Sequence, residues 1–198
     1  MKAQNKTMKT IITSNSRPLC RALCTVLIGI AAVWAMFSDA RAQLYVSNQG
    51  NTVSEYNATT GGAIKPSFIT GLSIPFGLAV SGNALFVASD DGNGSGTVGE
   101  YNATTGAAIN ANLVTGLDIP NGLAVSGNDL FVTNGGSTVG EYNATTGAAI
   151  NAGLITVLGN VTDLAVSGKA LFVTNDFGDM VGEYNLTTGA FNPASSRG

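Results

Sequence analysis

The chain has 198 residues, with 12 acidic and 9 basic side chains, no histidine and two cysteines. Without histidine it lacks the commonest general base and the commonest transition-metal ligand, so no Ser-His-Asp set can form. Six of the nine basic residues and one of the twelve acidic ones lie in the first 42 positions, leaving the rest with three against eleven and a net charge of −8. Such a surface repels nucleic acid and anionic lipid, which are both bound through Lys and Arg.

The first 42 residues read as a secretory signal. Lys2, Lys6, Lys9, Arg17 and Arg21 precede a charge-free apolar run from Ala22 to Phe37, and Ala40-Arg41-Ala42 offers a small-residue cleavage site. Positive, then apolar, then A-x-A is the order an export machinery reads. Cleavage after Ala42 is expected, with a secreted or periplasmic product. The apolar run falls short of the ~20 residues that span a bilayer, so no membrane segment is expected after cleavage. Cys20 and Cys24 leave with the leader, and the remainder is expected to form neither a disulfide nor a thiolate metal site.

From Gln43 onward the chain repeats itself. Glu-Tyr-Asn recurs at Glu55, Glu100, Glu141 and Glu183, each time followed by x-Thr-Thr-Gly. Leu-x-Val recurs from Leu44, Leu85, Leu130 and Leu171, and Leu-Ala-Val-Ser-Gly from Leu78, Leu123 and Leu164, in the same phase. This divides the chain into units of about 42 residues, at 43–76, 77–121, 122–162 and 163–198. In the third unit, strands are expected over 122–125, 129–133, 138–143 and 148–156. They are short, apolar, rich in Val, Ile, Phe and Tyr, and bounded by Gly and Asn. Ser126-Gly127-Asn128 suits a tight hairpin, and in Asn143-Ala-Thr-Thr-Gly147 the Asn caps the bend while Gly147 takes a left-handed conformation.

Four short antiparallel strands per unit cannot bury both faces alone and must stack on copies of themselves. The expected fold is all-β, a β-propeller with about four blades of four antiparallel strands, forming an incomplete ring or a fragment of a six- or seven-bladed one. Leu130-Phe-Val-Thr-Asn134, Leu44-Tyr-Val-Ser-Asn48, the Thr-Val-x-Glu-Tyr after them, and Ile119-Pro120-Asn121-Gly122 resemble the YVTN and NHL classes of propeller repeat. That resemblance implies six- or seven-bladed rings in exported or scaffold proteins. Labelling the strands of a blade A to D, the first unit begins at strand B and has no strand A of its own. Open end faces are then expected either to drive self-association, most simply as a dimer, or to make the chain poorly soluble.

Residues identical in every blade are expected to serve structure: Glu on a solvated strand face or bonding a neighbouring blade, Tyr between blades, and Asn57, Asn102, Asn143 and Asn185 as turn caps. Two sets of candidates remain. Asn48, Asp90, Asn134 and Asn175 end strand B, with Asp91 and Asp176 adjacent, at a mouth of the channel where gluconolactonase-like rings hold a divalent metal. The segment Asp90 to Gly96, about four residues longer than its counterpart, places Asp91, Asn93 and Ser95 at alternate positions like the first half of a calcium loop. The bidentate Glu of such a loop is missing, its place taken by Asn102. Turn chemistry explains both sets, so no cofactor is expected, although these hard oxygens would suit calcium or magnesium and the Asp91 loop calcium.

The expected function is an exported, non-catalytic scaffold or binding module for a protein or glycan at the cell surface or outside. The alternative is a metal-dependent hydrolase of the gluconolactonase kind. An enzyme should break its repeat symmetry with unique acidic residues converging on the channel.

Overall fold

In the computed structural model, β-branched and aromatic residues form strands of two to ten residues punctuated by glycine and asparagine. The structure describes residues 12–13, 42–156, 159–176 and 180–193, and among these there is no helix. Apart from Ile12, Thr13 and Ala42, the leader lies outside the described residues, as do residues 194–198 at the end of the fourth unit. Blade one comprises β1 (Ile12–Thr13), β2 (Gln43–Asn48), β3 (Thr52–Asn57) and β4 (Ala63–Ile69). Blade two comprises β5 (Pro75–Ser81), β6 (Ala84–Asp90), β7 (Gly96–Asn102) and β8 (Ala108–Leu117). Blade three holds β9 (Leu123–Ser126), β10 (Asp129–Asn134), β11 (Thr138–Asn143) and β12 (Ala149–Ile155). Blade four holds β13 (Val161–Ser167), β14 (Ala170–Asn175) and β15 (Met180–Asn185), with a single bridge from Tyr184 to Phe191 where the other blades have a fourth strand.

Each sheet is antiparallel in chain order, and the four sheets stack as an all-β partial propeller. In blade three every strand lies within a residue or two of its sequence expectation, Gly127 has φ +60° and Gly147 φ +72°. Blade one, which lacks a strand A within its own repeat, shows Ile12–Thr13 paired with Tyr45 and Leu44 in the position that β5, β9 and β13 occupy in the other blades. Cleavage after Ala42 would remove this strand.

Alternation along each strand explains why the blades need one another. Successive side chains point to opposite faces, so Leu130 and Val132 join Phe86 and Val98 between blades two and three, whereas Phe131 and Val139 join Leu164, Leu171 and Val173 between blades three and four. Tyr45, Val53 and Phe68 pack likewise on Leu78, Leu85 and Val87. The repeated tyrosines Tyr101 and Tyr142 lie in the interfaces with the preceding blade, as the repeat suggested. Each ring folds back over the glycine two residues earlier, where a Cβ on Gly99 or Gly140 would meet it at 2.7 Å. Blade one has Ser54 at that position, with its hydroxyl on the Pro66 carbonyl.

Burial raises the phenol of Tyr101, Tyr142 and Tyr184, and burial followed by the nearby Glu55 carboxylate pushes Tyr45 up to about 12. A phenol held protonated in the fold stabilises it fully below its unfolded value near 10, and that contribution disappears as pH climbs through about 12. Urea melts are therefore expected to show constant stability near neutral pH and a steep loss above pH ~10. Tyr45→Phe should flatten part of that alkaline step, while losing the hydrogen bond from the Tyr45 hydroxyl to the Ala103 carbonyl.

Candidate functional site

Up-and-down strands place the A–B hairpins and C–D loops at one end of the blades, and the B–C hairpins and D–A loops at the other. At the first end the C–D turns are the same in every blade. The side-chain oxygens of Asn57, Asn102, Asn143 and Asn185 each accept hydrogen bonds from the amides two and three residues on, at 2.9 to 3.0 Å. Thr104 and Thr145 hydroxyls tie these turns to Asn83 and Asn128 of the A–B hairpins, both at 2.8 Å. The asparagines are turn caps, and the chemistry of this end is spent on holding the loops.

The Glu of each Glu-Tyr-Asn is set by a register shift that recurs between strands C and D of the first three blades. Glu55 is 2% exposed, with Oε1 accepting from Gln43 at 2.6 Å and Oε2 lying 3.7 Å from the Lys65 ammonium. The residues opposite Glu100 and Glu141 are Asn110 and Asn151 instead. Desolvation raises both Glu100 and Glu141, the latter also by the charge of Asp129. These carboxylates lie within their own sheets, and Glu55 and Glu141 are buried there, neither on a solvated face nor, for Glu55, bonded to a neighbouring blade as the repeat suggested, because the register shift turns them inward beside strand D.

The opposite end varies, and it holds the residues singled out as candidates. Asn48 donates its amide to Ser54 at 2.8 Å within its own hairpin. Asn134 accepts from the Asp118 amide at 2.6 Å, and the Gly135 amide answers on the Asp118 carbonyl. Asn175 lies against Gly159, while Asp176 accepts from Asn160 at 3.3 Å. Each of these therefore ties a B–C hairpin to itself or to a D–A loop. Among the described residues, no three acidic side chains come together as a metal-binding group.

Asn48, Asp90, Asn134 and Asn175 each end strand B as expected, but Asp90 is not in register with the other three. Leu85 pairs with Tyr101 as Leu130 pairs with Tyr142, so Ser89, opposite Thr97, is the counterpart of Asn134, opposite Thr138. Asp90 is one residue further, paired with Gly96 in an additional rung. The four extra residues of blade two are split between that rung and a longer loop, and a shift of one position turns a strand side chain to the opposite face.

Within this loop Asp90 is 6% exposed and accepts from the Gly92 amide at 3.0 Å. Asp91 Oδ1 accepts the amides of Asn93 at 2.7 Å and Ser95 at 3.0 Å, bonds that hold its carboxyl below the usual carboxylate range. Asn93 and Ser95 thus meet Asp91 through their backbone nitrogens. Beside the loop, a cleft of about 220 Å³ opens between blades one and two, lined by Ser73, Ser89, Asp90, Asp91, Thr97 and Asn112 among others. Ser89 Oγ is buried there without a hydrogen-bond partner. The sequence did not point to this cleft, because its walls come from two blades and its serine is identified only by register.

No family model matches the chain, and no curated protein matches it. Solved structures do resemble it. A chain of the U3-55K structure superposes with a TM-score of 0.60 at 13% identity, over 76% of this chain and 47% of that one. A chain of a nidogen/laminin complex gives 0.59 at 15% identity, over 75% and 57%. Kuenenia stuttgartiensis hydrazine synthase gives 0.59 at 20% identity, over 78% and 45%. The chain spans about half the length of each of these relatives, and the likeness is one of fold.

Proposed function

We propose that this chain is an exported, non-catalytic propeller-repeat module that presents its B–C and D–A loops to a protein or glycan. The observation that carries this reading is the division between its two ends. At one end the same Asn caps recur in the C–D turn of every blade, whereas at the other the B–C loops differ in length and composition, and a cleft lies beside the longest of these B–C loops, Asp91 to Ser95. Binding surfaces concentrate on variable loops held by a rigid scaffold. Export is supported by the order of charge, apolar run and Ala40-Arg41-Ala42, and the scaffold role by the likeness of Leu130-Phe-Val-Thr-Asn134 to YVTN and NHL repeats. Oδ1 of Asp90, Asp91 and Asn134 each accepts a loop amide, the work expected of turn residues.

Secreted material is expected to begin at Gln43, and mass spectrometry that finds Trp34 retained would refute cleavage there. The purified chain should turn over no lactone, with or without calcium. Oligosaccharides and surface proteins screened by calorimetry should include a ligand whose affinity falls about tenfold or more when residues 90–96 are replaced by the shorter loop of blade three, with Tm unchanged. Lactone turnover abolished by Asp90→Ala or Asn134→Ala would replace this reading with the hydrolase.

A further inference from the structure

The innermost strands of neighbouring blades approach most closely at one repeated position, the residue before Leu78, Leu123 and Leu164. In blade two it is Gly77, where a Cβ would overlap the Asn121 carbonyl oxygen of blade three and lie 3.1 Å from the Leu123 nitrogen. In blade three it is Gly122, where a Cβ would lie 2.8 Å from Asp163 Cα and 3.1 Å from the Leu164 nitrogen of blade four. A further contact at Gly122, at 3.0 Å, would be with the Asp163 carboxylate, and the remaining contacts at both glycines are with backbone atoms, so the next blade's backbone leaves no room for a side chain. In blade four the same position is Asp163. The register confirms the equivalence, because Leu164 pairs with Val173 as Leu123 pairs with Val132. The hydrogen bonds confirm it too, since the Gly122 and Asp163 amides donate to Thr133 and Thr174 hydroxyls at 2.7 and 2.8 Å.

We infer that Asp163 is a stop residue, a side chain placed where the next blade's inner strand would have to lie, which prevents a second copy from stacking on blade four as the blades stack within the chain. A second copy is the occupant to consider because the rest of that face keeps the repeat's apolar pattern. Phe172 is the counterpart of Phe86 and Phe131, and Val181, 47% exposed, is the counterpart of the fully buried Val98 and Val139. At the other end of the stack, Leu44, Val46 and Tyr56 of blade one are only partly buried and match the residues that receive a preceding blade elsewhere. Head-to-tail contacts of this heterologous kind propagate unless something closes or blocks them. At Asp163 the block is steric at Cβ, while the carboxylate turns back on its own strand, with Oδ1 accepting from the Leu164 amide at 2.8 Å. It lies across the open-ended association that the strand count led us to expect.

Sedimentation velocity of the full chain over a concentration series tests this, with circular dichroism confirming that each variant is folded. Asp163→Gly should self-associate roughly tenfold more tightly than the unmodified chain, whereas Asp163→Ala, which keeps the Cβ, should behave as the unmodified chain does. Association of Asp163→Gly no tighter than that of the unmodified chain, or of Asp163→Ala equal to that of Asp163→Gly, would overturn the inference. The reciprocal variant Gly122→Asp places the same side chain where a blade does stack, and should lower Tm by about 5 °C or more. An unchanged Tm in Gly122→Asp would equally overturn it, whatever the fate of Asp163→Gly.

Discussion

Gly147→Ala is expected to cost on the order of 4 kcal/mol, while the same change at Gly61 costs about 1 kcal/mol, although the two glycines hold the same place in the same turn. Both have positive φ, +72° and +71°, so an L side chain is strained in either. They differ in what lies beyond. A Cβ on Gly147 would overlap the Leu113 carbonyl oxygen of blade two and lie 2.7 Å from its carbon, and Gly106 and Gly189 face Phe68 and Leu154 carbonyls in the same way. Gly61 has nothing within 4 Å. The left-handed conformation is thus a local requirement of the turn, whereas the missing side chain in the later blades is a requirement of stacking. Chemical denaturation of the two variants separates these terms. Equal losses at Gly61 and Gly147 would mean that the turn alone decides, and that blades two and three do not approach as described.

Phe131→Ala should destabilise by about 3–5 kcal/mol and Phe172→Ala by about half as much or less. Both rings come from strand B and from the same repeat position. Phe131 is fully buried between blades three and four against Leu164, Leu171 and Val173, so its removal leaves a cavity walled by two sheets. Phe172 faces outward from blade four and is only partly buried, so solvent can fill the space that it vacates. Thermal melts of both variants measure the difference directly. A loss at Phe172 as large as at Phe131 would show that something covers the outer face of blade four in solution, which would also bear on the stop assigned to Asp163.

Features that depend on neighbours along the chain were legible without a structure. The spacing of Glu55, Glu100, Glu141 and Glu183 set the period, and Gly127, Asn143 and Gly147 marked their turns, because a two-residue alternation and a positive φ are properties of a few consecutive residues. The stacking of all-β blades came from the same alternation, since Phe131 and Val132 point to opposite faces and both need covering. Register and blade spacing were not legible in this way. Counting from one end of strand B put Asp90 beside Asn134, whereas the hydrogen-bonded ladder puts Ser89 there, because an additional rung in a hairpin costs little locally and is seen only when its partner strand is in place. Ile12–Thr13 reaches the inner edge of blade one from a segment read as leader, a pairing that no local pattern encodes. Glu55 looked like Glu100 and Glu141 until β4 brought Lys65 opposite it. Gly122 read as the first residue of a strand, and nothing in the repeat singled out Gly77 or Asp163. Only the approach of one inner strand to the next shows why the first two must lack a side chain, and how the side chain at the third would obstruct a further blade.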